Sequence, residues 1–210
     1  MTAGSALART LLLTRQQRLP DVSDDDLLAG LANTSVGIVG DEPNLSSQSG
    51  QAMVSTLAGL VFAMGMNVRL VMPAVRMAGY QPPLRGDEFR AAVIGLGVDS
   101  VPGAVAQISE NAGGADVVFV IGDSPWKGDG NLAWRLSAGP WSGTMVPAAE
   151  AGPRVGGKFP IGALGIAATA AAEPYRAALR SIATRTRCFV PELTNLDPAM
   201  RVHLRLAPSD

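Results

Sequence analysis

The stretch SVGIVG at Ser35–Gly40, followed by GQAMVSTLAGLVFAMGM at Gly50–Met66, predicts a strand–turn–helix unit. The first segment is short and apolar, as a buried strand is, and the second is long enough to be a helix with small residues for close packing on a sheet. In dinucleotide- and ATP-binding proteins, the turn between two such elements is a tight glycine loop whose N–H groups face phosphate. The interpretation of this turn therefore decides whether nucleotide chemistry is expected.

The turn itself, DEPNLSSQS at Asp41–Ser49, is long and begins with two carboxylates. It contains neither G-x-G-x-x-G nor G-x-x-x-x-G-K-[ST], and Pro43 removes one backbone donor. Hydroxyls and an open helix N-terminus nevertheless give four candidate phosphate-binding residues, which are Ser46, Ser47, Ser49 and Gly50. The alternative is a capped, irregular surface loop without a ligand.

Strands and helices alternate along the rest of the chain, which predicts an α/β fold. We expect a Rossmann-like, mostly parallel, doubly wound sheet with helices on both faces, a short helical N-terminal extension, and two antiparallel strands near the end. The further predicted strands are Val68–Met72, Asp116–Gly122, Leu132–Ser137 and Gly143–Val146. The further predicted helices are Ala6–Arg18, Asp24–Leu31, Asp87–Gly95 and Ile161–Ile182, the last bent at Gly165 or Pro174.

The chain of 210 residues is divided, on this pattern, into a helical extension at 1–34, a Rossmann-like domain at 35–187 and a tail at 188–210. A net charge of −1 provides no basic field for nucleic acid. The apolar runs are too short to span a membrane, and the cluster Leu11-Leu12-Leu13 is too short for a signal peptide. We therefore expect a cytoplasmic protein.

The sequence contains one cysteine, Cys188, and one histidine, His203. A single cysteine excludes an internal disulfide and a Cys-x-x-Cys zinc site. His203 lies in an alternating segment and is expected to be a solvent-facing strand residue. No catalytic residue is therefore assigned from a nucleophile–histidine pattern.

Asp123 follows the continuous apolar strand Asp116–Gly122, at the end where ligands of open α/β sheets bind. A carboxylate here could hold Mg²⁺ beside the phosphates of a nucleotide. The alternative is that Asp123 only forms the turn Gly122-Asp123-Ser124-Pro125. No acidic residue follows the second strand, where the sequence reads Met72-Pro73-Ala74, so the usual ribose ligand is missing.

Three tryptophans lie close together in the sequence, at Trp126, Trp134 and Trp141. They would either line a ligand site or partner surface, or pack at the edge of the sheet. Lys158, after Gly156-Gly157, is interpreted as an exposed loop lysine that could also reach an anion.

Three blocks of sequence resemble the ThiF/MoeB/E1 family of enzymes, which adenylate the C-terminus of ubiquitin-like proteins and sulfur carriers. The blocks are ADVVFVIGDS at Ala115–Ser124, WSGTMVP at Trp141–Pro147 and the helical segment Pro160–Arg176. They are similar in order and spacing to the family's metal-binding strand, the following strand and the closing helix. The resemblance extends from Ser35 to Ile182 and implies that Asp123 is the metal ligand.

Other positions depart from the pattern of that family. Its glycine loop, ribose-binding acid, phosphate-binding arginine and zinc cysteines are missing, and the crossover loop Ala148–Phe159 has no acceptor cysteine. The resemblance to degenerate bacterial domains therefore implies a non-catalytic pseudo-adenylation domain that needs no cofactor. Such a domain would form a homodimer, or support an active ThiF/E1-like partner in ubiquitin-like or sulfur-carrier protein activation.

Two alternatives remain open. In the first, the chain is a working ATP-dependent adenylyltransferase with a divergent phosphate loop, using ATP and Mg²⁺. In the second, it is an adaptor that binds a peptide on the tryptophan-bearing strands.

Overall fold

The fold is described from a computed structural model, which defines Leu7, Thr10, Leu11, Leu19 and residues 21–101, 103–128, 132–188 and 197–206. Its centre is a sheet of seven strands in the order β3-β2-β1-β4-β5-β6-β7. The first five strands in that order are parallel, and β5, β6 and β7 are antiparallel. The strands are β1 (Ser35–Val39), β2 (Asn67–Val71), β3 (Ala106–Ile108), β4 (Val117–Ile121), β5 (Ala133–Ala138), β6 (Ser142–Pro147) and β7 (Val202–Arg205).

One helix precedes β1, further helices connect β1 to β2 and β2 to β3, and two helices follow β6. They are α1 (Asp24–Ala32), α2 (Glu42–Leu45), α3 (Gln48–Ala63), α4 (Phe89–Ser100), α5 (Ile161–Ala170) and α6 (Ala172–Thr186). The α/β, mostly parallel Rossmann-like fold predicted from the sequence is confirmed, including the antiparallel pair formed by β5 and β6. No described helix is long and apolar enough to cross a membrane.

The described helices all pack on one face of the sheet, here called the helical face. Alternate strand residues such as Ile38, Phe119 and Trp134 are completely buried there. They form one apolar cluster with residues from all six helices, including Leu57 of α3 and Ile166 of α5. This cluster is the main core of the domain.

The opposite face, here called the loop face, has a smaller apolar cluster of strand and loop residues, to which no described helix contributes. This distribution differs from the expected arrangement with helices on both faces. In a doubly wound sheet, the connections from β3 to β4 and from β4 to β5 supply the helices of the second face. Here the described parts of both connections are loops, and the first contains the turn-forming pair Gly113-Gly114.

Several helices differ from the sequence-based predictions: α2 was not predicted, and α4 was predicted at Asp87–Gly95 but spans Phe89–Ser100. Helix α3 begins at Gln48 and not at Gly50, because the Ser47 hydroxyl caps it by accepting from the Gly50 N–H. The predicted helix Ile161–Ile182 is two helices that meet at Ala171, because Pro174 lacks an N–H and is tolerated only in the first turn of a new helix.

The predictions for the two ends of the chain can be compared with the structure to different extents. Leu7 and Leu11 of the predicted first helix are buried, but most of Ala6–Arg18 lies outside the described residues. The tail contains β7, which pairs with β6 of the same chain, and His203 in this strand is exposed as expected.

Candidate functional site

A cleft of about 380 Å³ lies at the carboxyl ends of β1 and β2, beside the turn that follows β4. The strand order reverses here, because β2 and β3 lie on one side of β1 and β4 lies on the other. Open α/β sheets bind ligands at such a position. The lining residues come from these strand ends and the loops after them; they are Val39, Gly40, Asp41, Glu42, Val71, Met72, Pro73, Ser109, Glu110, Ser124 and Pro125.

The charge of this cleft is negative. Asp41, Glu42 and Glu110 are the ionisable residues among those that line it, and no lysine or arginine is present in that lining. Three carboxylates raise the free energy of any phosphate placed among them. A cavity that adjoins the cleft and shares Glu110 with it has one cation in its lining, Lys127. The absence of an acid after Met72 is as expected from the sequence.

Asn44 lies at the centre of the site and is completely buried in α2. Its amide nitrogen donates to Asp41 Oδ1 at 2.7 Å, Asp123 Oδ1 at 2.8 Å and Ser124 Oγ at 3.2 Å. Its amide oxygen accepts from the N–H of Val155 at 2.8 Å. One side chain therefore connects the loops after β1, β4 and β6.

Asp123 lies at the carboxyl end of β4, as predicted, and its carboxylate already has protein partners. Oδ1 accepts from Asn44, and Oδ2 lies 3.5 Å from Arg154 Nε. The Asn44 hydrogen bond, with a smaller contribution from Arg154, lowers the pKa of Asp123 below its ordinary value against the opposing effect of burial. Asp123 is therefore ionised at neutral pH, but both of its oxygens are engaged.

The side chain of Arg135 on β5 stabilises the same loops through hydrogen bonds. Its guanidinium is buried on the loop face and donates to the carbonyl oxygens of Gly122, Ser124, Ala148 and Glu150 at 2.6–3.0 Å. Burial lowers the pKa of Arg135, and the nearby Asp123 opposes that effect. This arginine is used for loop structure and is not directed into the cleft.

Residues 154–159, here called the crossover segment, lie against the N-terminus of α3. The Ser49 N–H and hydroxyl both donate to the Gly157 carbonyl oxygen at 3.2 Å, and the hydroxyl is also 3.2 Å from the Phe159 carbonyl. The Ser47 hydroxyl is within 3.3 Å of the Val155 carbonyl. Carbonyl oxygens of the chain itself therefore occupy the place where a phosphate would meet the helix N-terminus.

The four candidate phosphate-binding residues have separate local roles in this arrangement. Ser47 caps α3, Ser49 is buried against the crossover segment, and Ser46 is exposed with its hydroxyl bonded to the Glu42 carbonyl. Gly50 lies inside α3, where an added Cβ would overlap the Asn44 carbonyl. Within the described part of the chain, no three His, Cys, Asp or Glu side chains come together to hold a metal ion.

The three tryptophans lie in different places. Trp134 is buried on the helical face, where it stacks on Phe119 at 6.1 Å. Trp126 lines the adjoining cavity of about 440 Å³ on the loop face. This cavity and the cleft share the residues Val39, Val71, Glu110 and Pro125. Trp141 is 47% exposed and contacts the ring of Phe159 at 4.7 Å.

Sequence reasoning missed Asn44, Arg135 and Arg154. Arg135 carried a signal, because it is a single charged residue within an otherwise neutral strand. Asn44 follows Asp41 at the spacing of a helix cap, and the Asp41 side chain does accept from the Asn44 N–H. The contact of Asn44 with Val155 joins residues 111 positions apart and left no local signal.

Comparison with solved structures finds proteins of the same fold. The structure of PaaA matches with a TM-score of 0.57 at 10% sequence identity, over 97% of this chain and 73% of that one. Escherichia coli MccB with AMPCPP and MccA matches with a TM-score of 0.56 at 10% identity, over 97% and 72%. MccB with MccA-N7isoASN matches with a TM-score of 0.57 at 10% identity, over 100% and 73%.

These likenesses show that the chain shares the α/β, Rossmann-like fold of PaaA and MccB. No protein-family model and no curated protein matches the sequence.

Proposed function

We propose that this chain is a non-catalytic, ThiF/E1-like pseudo-adenylation domain. Its role is to form a homodimer, or to support an active adenylating partner, during activation of a ubiquitin-like or sulfur-carrier protein. The observation that carries the proposal is the occupied N-terminus of α3, where the Gly157 carbonyl accepts from Ser49. The acidic cleft beside it adds to the same argument.

A Mg²⁺–nucleotide complex does not fit these residues in their present arrangement. Its phosphates would meet Asp41, Glu42 and Glu110 in the cleft, and would compete with the crossover segment for the helix N-terminus. Its metal would compete with Asn44 for Asp123. On this proposal the domain therefore requires no cofactor.

The support role is consistent with the fold that the chain retains. The loop face has no cover from a described helix, so a second E1-like domain can approach the sheet from that side. MccB, which shares the fold, is described with MccA, and by analogy a partner of this chain is a peptide or protein.

An ATP-dependent adenylyltransferase with a divergent phosphate loop is the second candidate. The observation that favours it is Asp123, an ionised and partly exposed carboxylate at the carboxyl end of β4. MccB is also described with AMPCPP. This function needs the crossover segment to leave α3, so that Ser46, Ser47, Ser49 and Gly50 can contact phosphates while Asp123 holds Mg²⁺.

ATP–pyrophosphate exchange separates the two candidates. The purified chain is assayed alone and with each candidate carrier protein, and the variant Asp123→Ala is assayed in parallel. The proposal predicts that neither the native chain nor the Asp123→Ala variant shows more exchange than a reaction without protein. Exchange by the native chain that Asp123→Ala abolishes would contradict the proposal and establish the second candidate.

A further inference from the structure

Strand β7 is the last strand of the sheet within the described residues, so its outer edge has unpaired backbone groups. The Leu206 N–H just after the strand donates to the Trp141 carbonyl at 2.7 Å, which directs it inward. Backbone groups of an antiparallel strand alternate in direction with a period of two. The N–H and C=O groups of His203 and Arg205 therefore point outward and can pair with a further strand.

Among the described residues, the loop-face side of this edge carries one arginine without an acidic partner, Arg205. Arg201, His203 and Arg205 project there in alternation, and all three are exposed. Arg201 is paired with Glu150. The β6 residues opposite His203 and Arg205 are the neutral Thr144 and Ser142, so no acid on that strand compensates them.

The helical-face side of the same edge is apolar. Leu204 and Leu206 lie against Gly165 of α5, a helix that contains no charged residue. The register of β6 and β7 places Trp141 opposite Leu206, and the ring of Trp141 contacts Phe159. Trp141, Phe159 and Leu206 remain 47%, 45% and 41% exposed, which is unusual for large apolar side chains that lie together.

These features together favour one kind of binding partner for the edge of β7. Charges on an edge strand are also a protection against self-association, but protection does not require an exposed apolar surface on the opposite side. An incoming strand would place alternate side chains beside the arginines and beside the leucines. Complementarity therefore favours an acidic residue beside Arg205 and apolar residues beside the leucines.

We propose that β7 is a docking edge at which an extended, acidic and amphipathic segment of a partner protein adds as a further strand. This inference names a surface for the partner role proposed above and rests on that role. Its test uses no nucleotide, so its outcome is separate from that of the exchange assay.

The test uses a short fluorescent peptide in which glutamate alternates with valine and leucine, and a matched peptide with lysine in place of glutamate. Binding to the full chain is followed by fluorescence anisotropy. The glutamate peptide should bind and the lysine peptide should not. Arg205→Glu should weaken binding of the glutamate peptide by at least roughly tenfold and allow the lysine peptide to bind.

The control variant is Arg85→Glu, which reverses an exposed charge away from β7 and should leave both affinities unchanged. Circular dichroism checks that both variants are folded. Amide exchange identifies the binding mode, because the glutamate peptide should slow exchange at His203 and Arg205 but not at the already bonded Leu206. Absence of binding, equal binding of the two peptides, or binding without this protection would overturn the proposal.

Discussion

At the scale of single residues, Asn44 organises the candidate site. Its amide group makes hydrogen bonds to Asp41, Asp123 and Ser124 and to the Val155 backbone, and none of its surface is exposed. Because the amide satisfies buried groups from three loops, its loss leaves several of them without a partner.

We expect Asn44→Ala to lower the free energy of unfolding by roughly 2–4 kcal/mol, measured by urea denaturation. The matched control is Asn111→Ala, whose side chain accepts one hydrogen bond on the exposed surface and whose loss should cost less than about 1 kcal/mol. Equal effects of the two substitutions would contradict the organising role of Asn44.

The pKa of Asp123 gives a second readout of the same contact. Because the folded-state pKa is lowered chiefly by Asn44, the carboxylate stabilises the fold at neutral pH. That stabilisation is lost as the pH falls below the unfolded value of about 3.9 and through the folded-state pKa. In an NMR titration, Asn44→Ala should raise the pKa of Asp123 towards its ordinary value, and an unchanged pKa would be inconsistent with the stated cause.

At the scale of elements, the N-terminus of α3 is closed by its own cap and by the crossover segment. Ser47 accepts from the Gly50 N–H, and Ser49 donates to the Gly157 carbonyl. These contacts join the start of α3 to a segment more than a hundred residues away in the chain.

Ser47→Ala should lower the free energy of unfolding by about 1–2 kcal/mol, because the helix loses its cap. The neighbouring Ser46→Ala removes an exposed hydroxyl that only bonds back to Glu42, and should change stability by no more than about 0.5 kcal/mol. The comparison is made by urea denaturation. A larger effect at Ser46 than at Ser47 would show that the cap is assigned to the wrong serine.

Local patterns in the sequence were enough for the strands except β3 and for the described helices except the short α2. The apolar run of β4 and the capping serines before α1 and α3 are signals contained within a few residues. Asp123 was placed correctly because the end of a strand is itself a local feature. The closure of α3 was not predictable, because it depends on where residues 154–159 return in space, and loops after distant strands carry no pattern that encodes this.

At the scale of the whole molecule, a mostly parallel, Rossmann-like sheet is combined with an acidic cleft and an occupied helix N-terminus. The described helices lie on one face only, so the sheet keeps one face covered by loops. The supporting role that we propose rests on this combination.

The most direct test of that role is a calorimetric titration of ATP with Mg²⁺ into the purified chain. Our account predicts no saturable heat, with any dissociation constant weaker than about 1 mM, because carboxylates line the cleft and the crossover segment holds the helix N-terminus. A saturable, Mg²⁺-dependent dissociation constant near about 1 μM, weakened in Asp123→Ala, would contradict it.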